Sequence, residues 1–488
     1  MGITMNNNRV AIIGLDGVPF NLIERLVNIM PTLAYIYRKG FATTLYSILP
    51  PYTPPAWTSI ATGVNPGRHG IFDFHIVRKT EERFLSRIAT AKDVKYPRIH
   101  NMLEMHKMKS IIYNLPLTYP PWAAGDKFSI IINDWMAPEI RIHPKNLEPK
   151  YLDYFNKGLE ALDLKGSKEE SFKIMASRLE YTTQGLLELA DHYDWNLLFA
   201  VFSETDWSLH DNKKVIKGEI SGYATKVFEK IDYFIKQILK RTDNVVIVSD
   251  HGFTLCPHIT NPLYYLRKCG LIKEHYFSEK IMIDILNRKV VIPKRITAFI
   301  RRYKKLKTFM RKALFKIGGK AGRERRREIS YIESPVLVPD PGIIYIAPGY
   351  KDRIKNILMT IPDIKNVYEA KELYWGPYLD NAPDLILEPV HDYCLGISFK
   401  EPRSKPNTAH NRQGVFILYS KDIDSIQYRR IELKLWDVIP VILQILGLPI
   451  PHDTDSKLLL RINKTISYMN YTSQYTLWRK IKTIKTYV

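Results

Sequence analysis

Residues 244–252 read N-V-V-I-V-S-D-H-G, an apolar run that is rich in β-branched residues and stops abruptly on polar ones. Such a run is typical of a strand that is buried on both faces of a parallel sheet. Asp250 and His251 end it, and Gly252 permits a turn that lets both side chains face the same crevice. Because the reactive groups of open α/β sheets lie outside the carboxyl ends of the strands, this ending predicts a metal site.

Two further apolar runs end on a carboxylate in the same way. Val10–Leu15 is followed directly by Asp16, and Leu197–Phe202 is followed within four residues by Asp206. Three buried strands that each deliver an aspartate can converge on one crevice, and clustered anions need a cation between them. For Asp16 alone, an equally good interpretation is a helix N-cap for the segment that begins at Pro19.

The length of the chain and its alternation of strand and helix patterns predict the fold class. A chain of 488 residues exceeds what one core usually supports, so we expect an α/β catalytic domain with an insertion. The alternation of strand-like and helical stretches suggests a βαβ architecture. The predicted division is residues 1–270 as the first part of the domain, 271–330 as a basic helical insertion or cap, 331–460 as the second part with its last helix at 435–446, and 461–488 as a basic C-terminal tail.

The net charge of +22 is concentrated in two segments. Residues 271–330 hold 19 Lys and Arg against 5 Asp and Glu, and residues 461–488 hold 6 Lys and Arg without an acid. Apolar residues at spacings of three and four predict a basic amphipathic helix over residues 296–317. This helix could dock on the protein body or lie on an anionic membrane surface. Nucleic acid is disfavoured as a partner, because no recognised binding motif accompanies the charge.

Cysteine usage and the N-terminus favour a cytoplasmic protein, with the inner face of the membrane as a peripheral location. Cys256, Cys269 and Cys394 are too few and odd in number for a disulfide framework, which favours a reducing compartment. No secretory signal is visible before the first strand. The longest apolar stretch, residues 438–451, is interrupted by Gln, Gly and Pro and is shorter than the ~20 residues of a membrane-spanning helix.

The segment D-W-S-L-H places Asp206 and His210 four residues apart. On a helical turn both side chains lie on one face and can bind one metal ion, although the same spacing also occurs in ordinary surface pairs.

The segment T-P-P-A-W-T at residues 53–58 offers a hydroxyl nucleophile. Prolines 54 and 55 make the turn rigid, and we expect Thr53 near a helix N-terminus, where backbone N–H groups favour an anion. A threonine hydroxyl is a poor nucleophile unless a base or metal removes its proton, so Thr53 is reactive only if the carboxylates supply a cation. Alone, Thr53 would be read as a helix cap.

The order of these motifs resembles the alkaline phosphatase superfamily, and within it the type I phosphodiesterase and nucleotide pyrophosphatase branch. The resemblance extends over residues 10–460 and implies an alkaline-phosphatase-like α/β fold, with a mixed, mostly parallel sheet sandwiched by helices. The segments that carry it are L-D-G at 15–17, T-P-P-A-W-T-S-I-A-T-G-V-N-P-G-R-H-G-I at 53–71, D-W-S-L-H at 206–210, S-D-H-G-F at 249–253, A-H-N-R-Q-G-V-F at 409–416 and D-V-I-P-V-I-L-Q-I-L-G-L-P-I-P at 437–451.

The resemblance also implies a cofactor, a ligand set and a mechanism. Families of this kind carry two divalent metal ions, usually zinc, with manganese as the alternative. Thr53 would attack phosphorus to give a phosphothreonine, which water then cleaves. The first ion would be held by Asp16, Thr53, Asp250 and His251, and the second by Asp206, His210 and His410.

One departure from the branch limits the substrate prediction. Nucleotide pyrophosphatases typically show T-F-P-N, whose Asn helps hold a phosphoryl oxygen, whereas Ala56 occupies that position here. The oxygen then needs another partner, for which Arg412, other backbone amides or a basic side chain of the insertion are candidates.

The leading functional hypothesis is metal-dependent hydrolysis of a phosphoester, of the phosphodiesterase or nucleotide pyrophosphatase type. The substrate would be a phosphorylated small molecule or a lipid-linked phosphate presented by the basic insertion. A phosphomutase of the same superfamily is the first alternative. From another class, the chain could be a basic peripheral membrane or nucleic-acid binding protein that keeps an idle site.

Overall fold

The three apolar runs form neighbouring strands at the centre of the main sheet. In the computed structural model, Val10–Leu15 lies between Leu197–Phe202 and Asn244–Val248 and pairs with both in parallel. Every residue of these three strands is buried, as their continuous apolar character predicts. The structure describes residues 9–157, 167–210, 212–272, 327–330, 334–399, 401–421, 432–456 and 466–487.

The strands of the described residues are numbered in chain order. They are β1 (Val10–Leu15), β2 (Phe41–Tyr46), β3 (His75–Lys79), β4 (Arg83–Ile88), β5 (Ser110–Tyr113), β6 (Ser129–Ile132), β7 (Ile142–His143), β8 (Leu197–Phe202), β9 (Asn244–Val248), β10 (Gly252–Thr260), β11 (Arg327–Ser330), β12 (Val336–Leu337), β13 (Ile343–Ile346), β14 (Ile364–Glu369), β15 (Leu385–Pro389), β16 (Tyr393–Leu395), β17 (Arg403–Asn411), β18 (Gln413–Ser420), β19 (Leu433–Lys434), β20 (Ile450–Pro451) and β21 (Tyr468–Met469).

The α-helices are numbered in the same way, and short 3₁₀ helices lie at Lys145–Leu147, Leu379–Asn381 and Leu435–Asp437. The α-helices are α1 (Phe20–Leu26), α2 (Pro31–Lys39), α3 (Thr53–Thr62), α4 (Pro66–His69), α5 (Ile99–Met105), α6 (Pro121–Ala124), α7 (Glu148–Asn156), α8 (Lys168–His192), α9 (Glu204–Leu209), α10 (Lys213–Ile216), α11 (Tyr223–Ile238), α12 (Pro262–Lys268), α13 (Lys351–Met359), α14 (Ala370–Leu373), α15 (Val438–Leu446) and α16 (Tyr471–Tyr487).

The main sheet is mixed and mostly parallel, as predicted. Within the described residues it has nine strands in the order β19-β2-β18-β9-β1-β8-β5-β6-β7. The central strands β9, β1, β8, β5 and β6 pair in parallel. β18 is antiparallel to both β9 and β2, and β7 is antiparallel to β6. The parallel centre brings the carboxyl ends of β9, β1 and β8 to one edge.

Helices cover both faces of this sheet, and β1 contributes to the core on each side. Ala11, Ile13 and Leu15 pack in a core with residues of α1, α2, α8 and α11. Val10 and Ile12 pack in a second core with residues of α3, α5 and α15. The helix α3, which begins at the predicted nucleophile, is therefore seated directly against the sheet.

Gly14 is required where α3 packs on β1. A Cβ atom on Gly14 would overlap the ring of Trp57, which is fully buried, and would also lie 3.1 Å from Val201 Cγ2. We expect Gly14→Ala to lower the free energy of unfolding by roughly 1–3 kcal/mol, the usual cost of overpacking a core, as measured by urea denaturation. Adding Trp57→Phe removes the overlapping ring and should recover part of the loss. A Gly14→Ala protein as stable as the wild type would contradict this account of the contact.

A small second sheet supplies the last predicted ligand. β10 begins at Gly252, directly after His251, and pairs antiparallel with β17, so that Phe253 lies opposite His410. β16 pairs with the other edge of β10. The turn that Gly252 permits thus carries the chain out of the main sheet and into the strand pair that positions His410.

The prediction from the cysteine count was wrong. Cys256 on β10 and Cys394 on β16 form a disulfide, with their Cα atoms 6.0 Å apart, and Cys269 is free and exposed. The two cysteines are brought together by the pairing of β10 with β16, which sequence spacing does not reveal. The cysteine count therefore does not favour a reducing compartment.

The C-terminal segment contains a helix that the sequence analysis did not predict. Residues 471–487 form α16, so the helix that ends at Leu446 is not the last of the chain. Tyr471 and Tyr475 are buried, and the Tyr471 hydroxyl donates to the carbonyl of Pro449 at 2.9 Å. The apolar and aromatic residues of this segment thus dock α16 on the catalytic domain.

Most of the predicted basic insertion, including the amphipathic helix at 296–317, lies outside the described residues. Its last residues, 327–330, form β11, which pairs with β4. The domain boundaries and the proposed membrane contact stay predictions. Among the helices that the structure describes, none combines the length and apolar character needed to cross a bilayer.

Candidate active site

The ends of three strands bring the predicted ligands into one crevice. Asp16 directly follows β1, and Asp250 and His251 follow β9 after a single serine. Asp206 lies in α9, the short helix that begins just beyond β8. Because β9, β1 and β8 are parallel neighbours, these residues lie at the same edge of the sheet, at the carboxyl ends of the strands.

The first ligand cluster consists of Asp16, Thr53, Asp250 and His251. The Nε2 atom of His251 lies 3.3 Å from Thr53 Oγ1 and 3.3 Å from Asp250 Oδ2. It also lies 3.8 Å from Asp16 Oδ1. All four residues are buried, so four candidate ligand atoms face one another with little exposure to solvent.

The second ligand cluster consists of Asp206, His210 and His410. The Nε2 atom of His210 lies 3.3 Å from Asp206 Oδ2, and that of His410 lies 3.4 Å from Asp206 Oδ1. The two Nε2 atoms are 3.2 Å apart. His210 directly follows α9, so the spacing of four residues places it beside Asp206 as predicted. Asp206 also lies in a compact group of ligand atoms with Asp16 and His251, so the two clusters adjoin through Asp206, and the division of the ligands between two ions stays a prediction.

Backbone carbonyls set the orientation of two histidine rings. His410 Nδ1 lies 3.1 Å from the carbonyl of Pro51, and His251 Nδ1 lies 3.3 Å from that of Gly252. With the proton on Nδ1, the lone pair of each Nε2 faces the carboxylates, as a metal ligand requires. The two rings also stack with their centroids 3.8 Å apart.

The unsatisfied atoms of the two clusters fit divalent metal ions. Asp16 Oδ1, Asp206 Oδ1 and Asp250 Oδ2 are buried and accept no hydrogen bond. Among the described residues, no Lys or Arg forms an ion pair with these carboxylates, and the basic side chains that lie near them are those of histidines. Burying three carboxylates without a counter-charge is costly, and a mixture of imidazole and carboxylate donors suits zinc or manganese.

Burial and mutual repulsion alter the acidity of the clustered carboxyls. Burial, and then the charge of Asp206, raises the pKa of Asp16 to about 8. Burial, and then Asp16, raises the pKa of Asp250 well above its usual range. Burial opposes ionisation of Asp206 too, but the adjacent imidazoles of His210 and His410 outweigh it and lower that pKa. The metal-free site therefore holds protons that a cation would displace.

We expect the metal-free protein to lose stability between pH 6.5 and 8. The pKa of Asp16 is raised in the fold, so the folded state keeps a proton that the unfolded state has already lost. The free energy of unfolding should therefore fall by about 1.4 kcal/mol per pH unit for each retained proton. Burial lowers the pKa of His251 in the fold, so this side chain binds protons only in the unfolded chain, and near pH 6.5 it offsets part of the decline. Chemical denaturation in the presence of a chelator measures the effect.

Two controls accompany this measurement. Asp16→Asn should show a shallower decline, and metal-loaded wild-type protein should show none, because a bound cation keeps the carboxyls ionised. Equal stability of the metal-free protein at pH 6.5 and 8 would contradict the raised pKa of Asp16.

Thr53 is the first residue of α3, so it lies at a helix N-terminus, as the sequence analysis expects. Pro54 and Pro55 then occupy its first turn and lack N–H groups, while the Ala56 N–H donates to the carbonyl of Tyr52. This corrects the expectation of several free amides at the helix N-terminus. Among the N–H groups of the first turn, that of Thr53 donates to no carbonyl of the described residues.

A family profile decides the relationship of the chain. The profile of the type I phosphodiesterase/nucleotide pyrophosphatase family matches residues 10–343. This range includes β1, α3 and β9, the elements that position the first ligand cluster. The chain belongs to this family. Membership places it among phosphoric ester hydrolases of the metal-dependent alkaline phosphatase superfamily. Comparison with curated proteins gives no match.

Solved structures confirm the alkaline-phosphatase-like fold of this family member. Phosphonoacetate hydrolase from Sinorhizobium meliloti 1021, in complex with phosphonoformate, is 13% identical with a TM-score of 0.55, covering 90% of this chain and 95% of that one. An inactive threonine-to-alanine variant of murine ectonucleotide pyrophosphatase/phosphodiesterase 5, in complex with AMP, is 12% identical with a TM-score of 0.54, covering 93% and 97%. Alkaline phosphatase PafA is 12% identical with a TM-score of 0.56, covering 91% and 97%.

The two positions that were expected to select the substrate are Ala56 and Arg412. Ala56 is fully buried and offers no polar side-chain atom to a phosphoryl oxygen. Arg412 has an exposed side chain at the turn between β17 and β18, and its Nε donates to the carbonyl of Ser47 at 2.9 Å. The structure thus engages Arg412 beside the site rather than with the ligand clusters, and its role toward substrate stays a prediction.

The sequence analysis did not predict Ser203 and Asn114, two polar residues that support Asp16. The hydroxyl of Ser203 donates to Asp16 Oδ2 at 3.2 Å, and Asn114 Nδ2 lies 3.1 Å from that hydroxyl. Ser203 directly follows β8 and Asn114 directly follows β5. Inspection of every strand end for polar residues, and not for acids alone, would have found both.

Proposed function

We propose that this chain hydrolyses a phosphodiester or pyrophosphate bond of a phosphorylated small molecule, with two divalent metal ions as cofactors and Thr53 as the nucleophile. The observation that carries the proposal is the position of Thr53 Oγ1, 3.3 Å from His251 Nε2. A lone buried threonine would serve as a helix cap, but a hydroxyl within a cluster of metal ligands is placed to be activated.

The ligand assignment follows the two clusters, with zinc as the first candidate and manganese as the alternative. When bound, the ions would lower the pKa of an attacking hydroxyl or water and neutralise charge on the phosphoryl oxygens. The ligands would be Asp16, Thr53, Asp250 and His251 for one ion, and Asp206, His210 and His410 for the other.

The residues of the chain support a double displacement at phosphorus. Thr53 is 5% exposed and begins a helix whose first turn is made rigid by two prolines, so its hydroxyl is held in a fixed direction. Its proton passes to solvent, Oγ1 forms a bond to phosphorus, and the bond from phosphorus to the leaving oxygen breaks. The leaving oxygen takes up a proton.

The second displacement restores the enzyme. A water molecule attacks the phosphothreonine, the bond between Thr53 Oγ1 and phosphorus breaks, and Oγ1 recovers a proton. The exposed His210 and the partly exposed His410 line the open side of the site, where the leaving group and the water would enter. The inactive threonine-to-alanine variant of murine ectonucleotide pyrophosphatase/phosphodiesterase 5 supports a threonine nucleophile in this fold.

Ligands in similar solved structures indicate the class of substrate, whereas Ala56 gives no reason to restrict that class to nucleotides. Complexes with AMP and with phosphonoformate support a small molecule that carries a phosphoryl or phosphonyl group. Because Ala56 offers no side-chain donor, specificity for a nucleotide is not part of the proposal.

A chromogenic assay tests the proposal. Purified protein supplied with Zn²⁺ or Mn²⁺ should hydrolyse bis-p-nitrophenyl phosphate, and p-nitrophenyl sulfate should serve as a poor-substrate control. Failure to cleave any phosphodiester, phosphomonoester or pyrophosphate under these conditions would refute the proposed activity.

Labelled water separates hydrolysis from phosphomutase chemistry. A hydrolase incorporates one oxygen from water into the released phosphoryl product, whereas a mutase returns the phosphoryl group of Thr53 to the substrate. Turnover in ¹⁸O-water should give singly labelled product, and an isomerised substrate without label would assign the chain to the mutase alternative.

A further inference from the structure

A third group of metal-ligand side chains shares no residue with the two clusters of the active site. It consists of Asp73, His75 and Asp340. Asp73 lies just before β3, and His75 is the first residue of that strand. Asp340 lies between β12 and β13. The group therefore stands between two small sheets, one formed by β11, β4 and β3 and the other by β12, β13, β15 and β14.

The ligand atoms of this group face one another at distances that suit one ion. His75 Nδ1 lies 3.6 Å from Asp340 Oδ2 and 3.9 Å from Asp73 Oδ2, and all three atoms lie within 4.8 Å of one another. These separations are too long for direct hydrogen bonds. Two ligands that are each about 2.1 Å from the same ion stand roughly 3–4 Å apart, which matches the observed spacing.

All three facing atoms lack a hydrogen-bond partner. Asp73 is fully buried, and while its Oδ1 accepts the N–H of Phe74 at 2.6 Å, its Oδ2 accepts nothing. His75 Nδ1 and Asp340 Oδ2 are buried atoms without a partner as well. A buried carboxylate oxygen that is unsatisfied costs free energy, so this arrangement needs a donor or a cation.

No basic side chain of the described residues fills that need. Lys79, on the same strand as His75, instead pairs with Asp384 at 2.6 Å. Within the part of the chain that the structure describes, neither Asp73 nor Asp340 forms an ion pair with a Lys or Arg, and the basic side chain beside them is that of His75. Two carboxylates thus meet beside one imidazole without a counter-charge.

We propose that Asp73, His75 and Asp340 bind a third divalent metal ion. One imidazole and two carboxylates suit Mn²⁺ or Zn²⁺, whereas Ca²⁺ and Mg²⁺ prefer oxygen ligands alone. The side chains of His75 and Asp340 are 34% and 27% exposed, so an ion can enter from solvent and keep water as its remaining ligands.

The position of this site gives the ion a structural role. It joins β3 to the loop between β12 and β13. The same loop contacts the segment of the nucleophile, because the Tyr52 hydroxyl donates to the carbonyl of Pro341 and Tyr52 directly precedes Thr53. An ion at Asp340 therefore holds this loop against the residue that precedes the proposed nucleophile.

Equilibrium binding of Mn²⁺ tests the proposal. The metal-free full-length protein is titrated with Mn²⁺, and the free ion is measured by electron paramagnetic resonance. The variants are His75→Ala and Asp340→Asn. His391→Ala is the matched control, because His391 is 94% exposed and contacts only a neighbouring carboxylate, that of Asp392.

The wild type and His391→Ala should each bind one more Mn²⁺ per chain than His75→Ala. Asp340→Asn should lose that ion or bind it at least about tenfold more weakly, because a metal ligand is removed. Equal numbers and affinities in the wild type and both variants would overturn the third site. Asp340 lies in a partly exposed loop, so Asp340→Asn keeps the test decisive if His75→Ala fails to fold. This comparison does not depend on catalysis, since a wild type that hydrolysed no phosphoester would refute the proposed function and leave the difference in bound ions unchanged.

Discussion

Thr53→Ala should reduce phosphodiester hydrolysis by about four orders of magnitude, because it removes the atom that forms the covalent intermediate. The fold should be kept, since the hydroxyl makes a single described contact, to His251 Nε2, and the side chain is 5% exposed. The expected loss is in kcat, measured with bis-p-nitrophenyl phosphate at saturating metal.

Thr62→Ala is the matched control for this substitution. Thr62 ends the same helix and is also buried, and its hydroxyl makes a single described hydrogen bond, to the carbonyl of Thr58 within that helix. Its loss should leave hydrolysis within a fewfold of the wild type. Activity of Thr53→Ala comparable to that of Thr62→Ala would refute the nucleophile assignment.

Removal of divalent metal should abolish hydrolysis, with a loss of at least about 10³-fold, because three unsatisfied carboxylate oxygens would otherwise face the phosphoryl group. Dialysis against a chelator followed by addition of Zn²⁺ or Mn²⁺ measures this effect. Both the loss and its recovery are expected, since the ligand side chains are set by the ends of rigid strands and survive without the ion.

Asp250→Asn should block this recovery. Asp250 accepts the N–H of Gly17 through Oδ1 and presents Oδ2 to His251, so the amide can keep the first contact but supplies a weaker ligand at the second position. The variant should stay inactive at metal concentrations that restore the wild type. Full activity of chelator-treated wild type, or equal recovery of Asp250→Asn, would contradict a metal-dependent site.

The central fold and most of the site could be predicted from the sequence because both depend on local pattern. A continuous apolar run indicates a strand that is buried on both faces of the sheet, and the polar residues that follow it are the ones that reach the crevice. This reasoning located Asp16 and Asp250, and helical spacing paired Asp206 with His210. His410 came only from the resemblance, because it reaches the site through the pairing of β17 with β10.

Features that need a tertiary partner escaped the sequence. Cys256 and Cys394 become a disulfide only through the pairing of β10 with β16. The ordering of the C-terminal segment depends on the burial of Tyr471 and Tyr475 against the catalytic domain. The third group of metal ligands joins residues of two sheets, so Asp340 carries no local signal that pairs it with His75.

The stereochemical course at phosphorus tests the central claim of a phosphothreonine at Thr53 most directly. A diester that is chiral at phosphorus through sulfur substitution is hydrolysed in ¹⁸O-water, and the configuration of the product is determined. Two successive in-line displacements, first by Thr53 and then by water, predict net retention of configuration. Net inversion would show a single direct attack by water and would contradict the covalent intermediate.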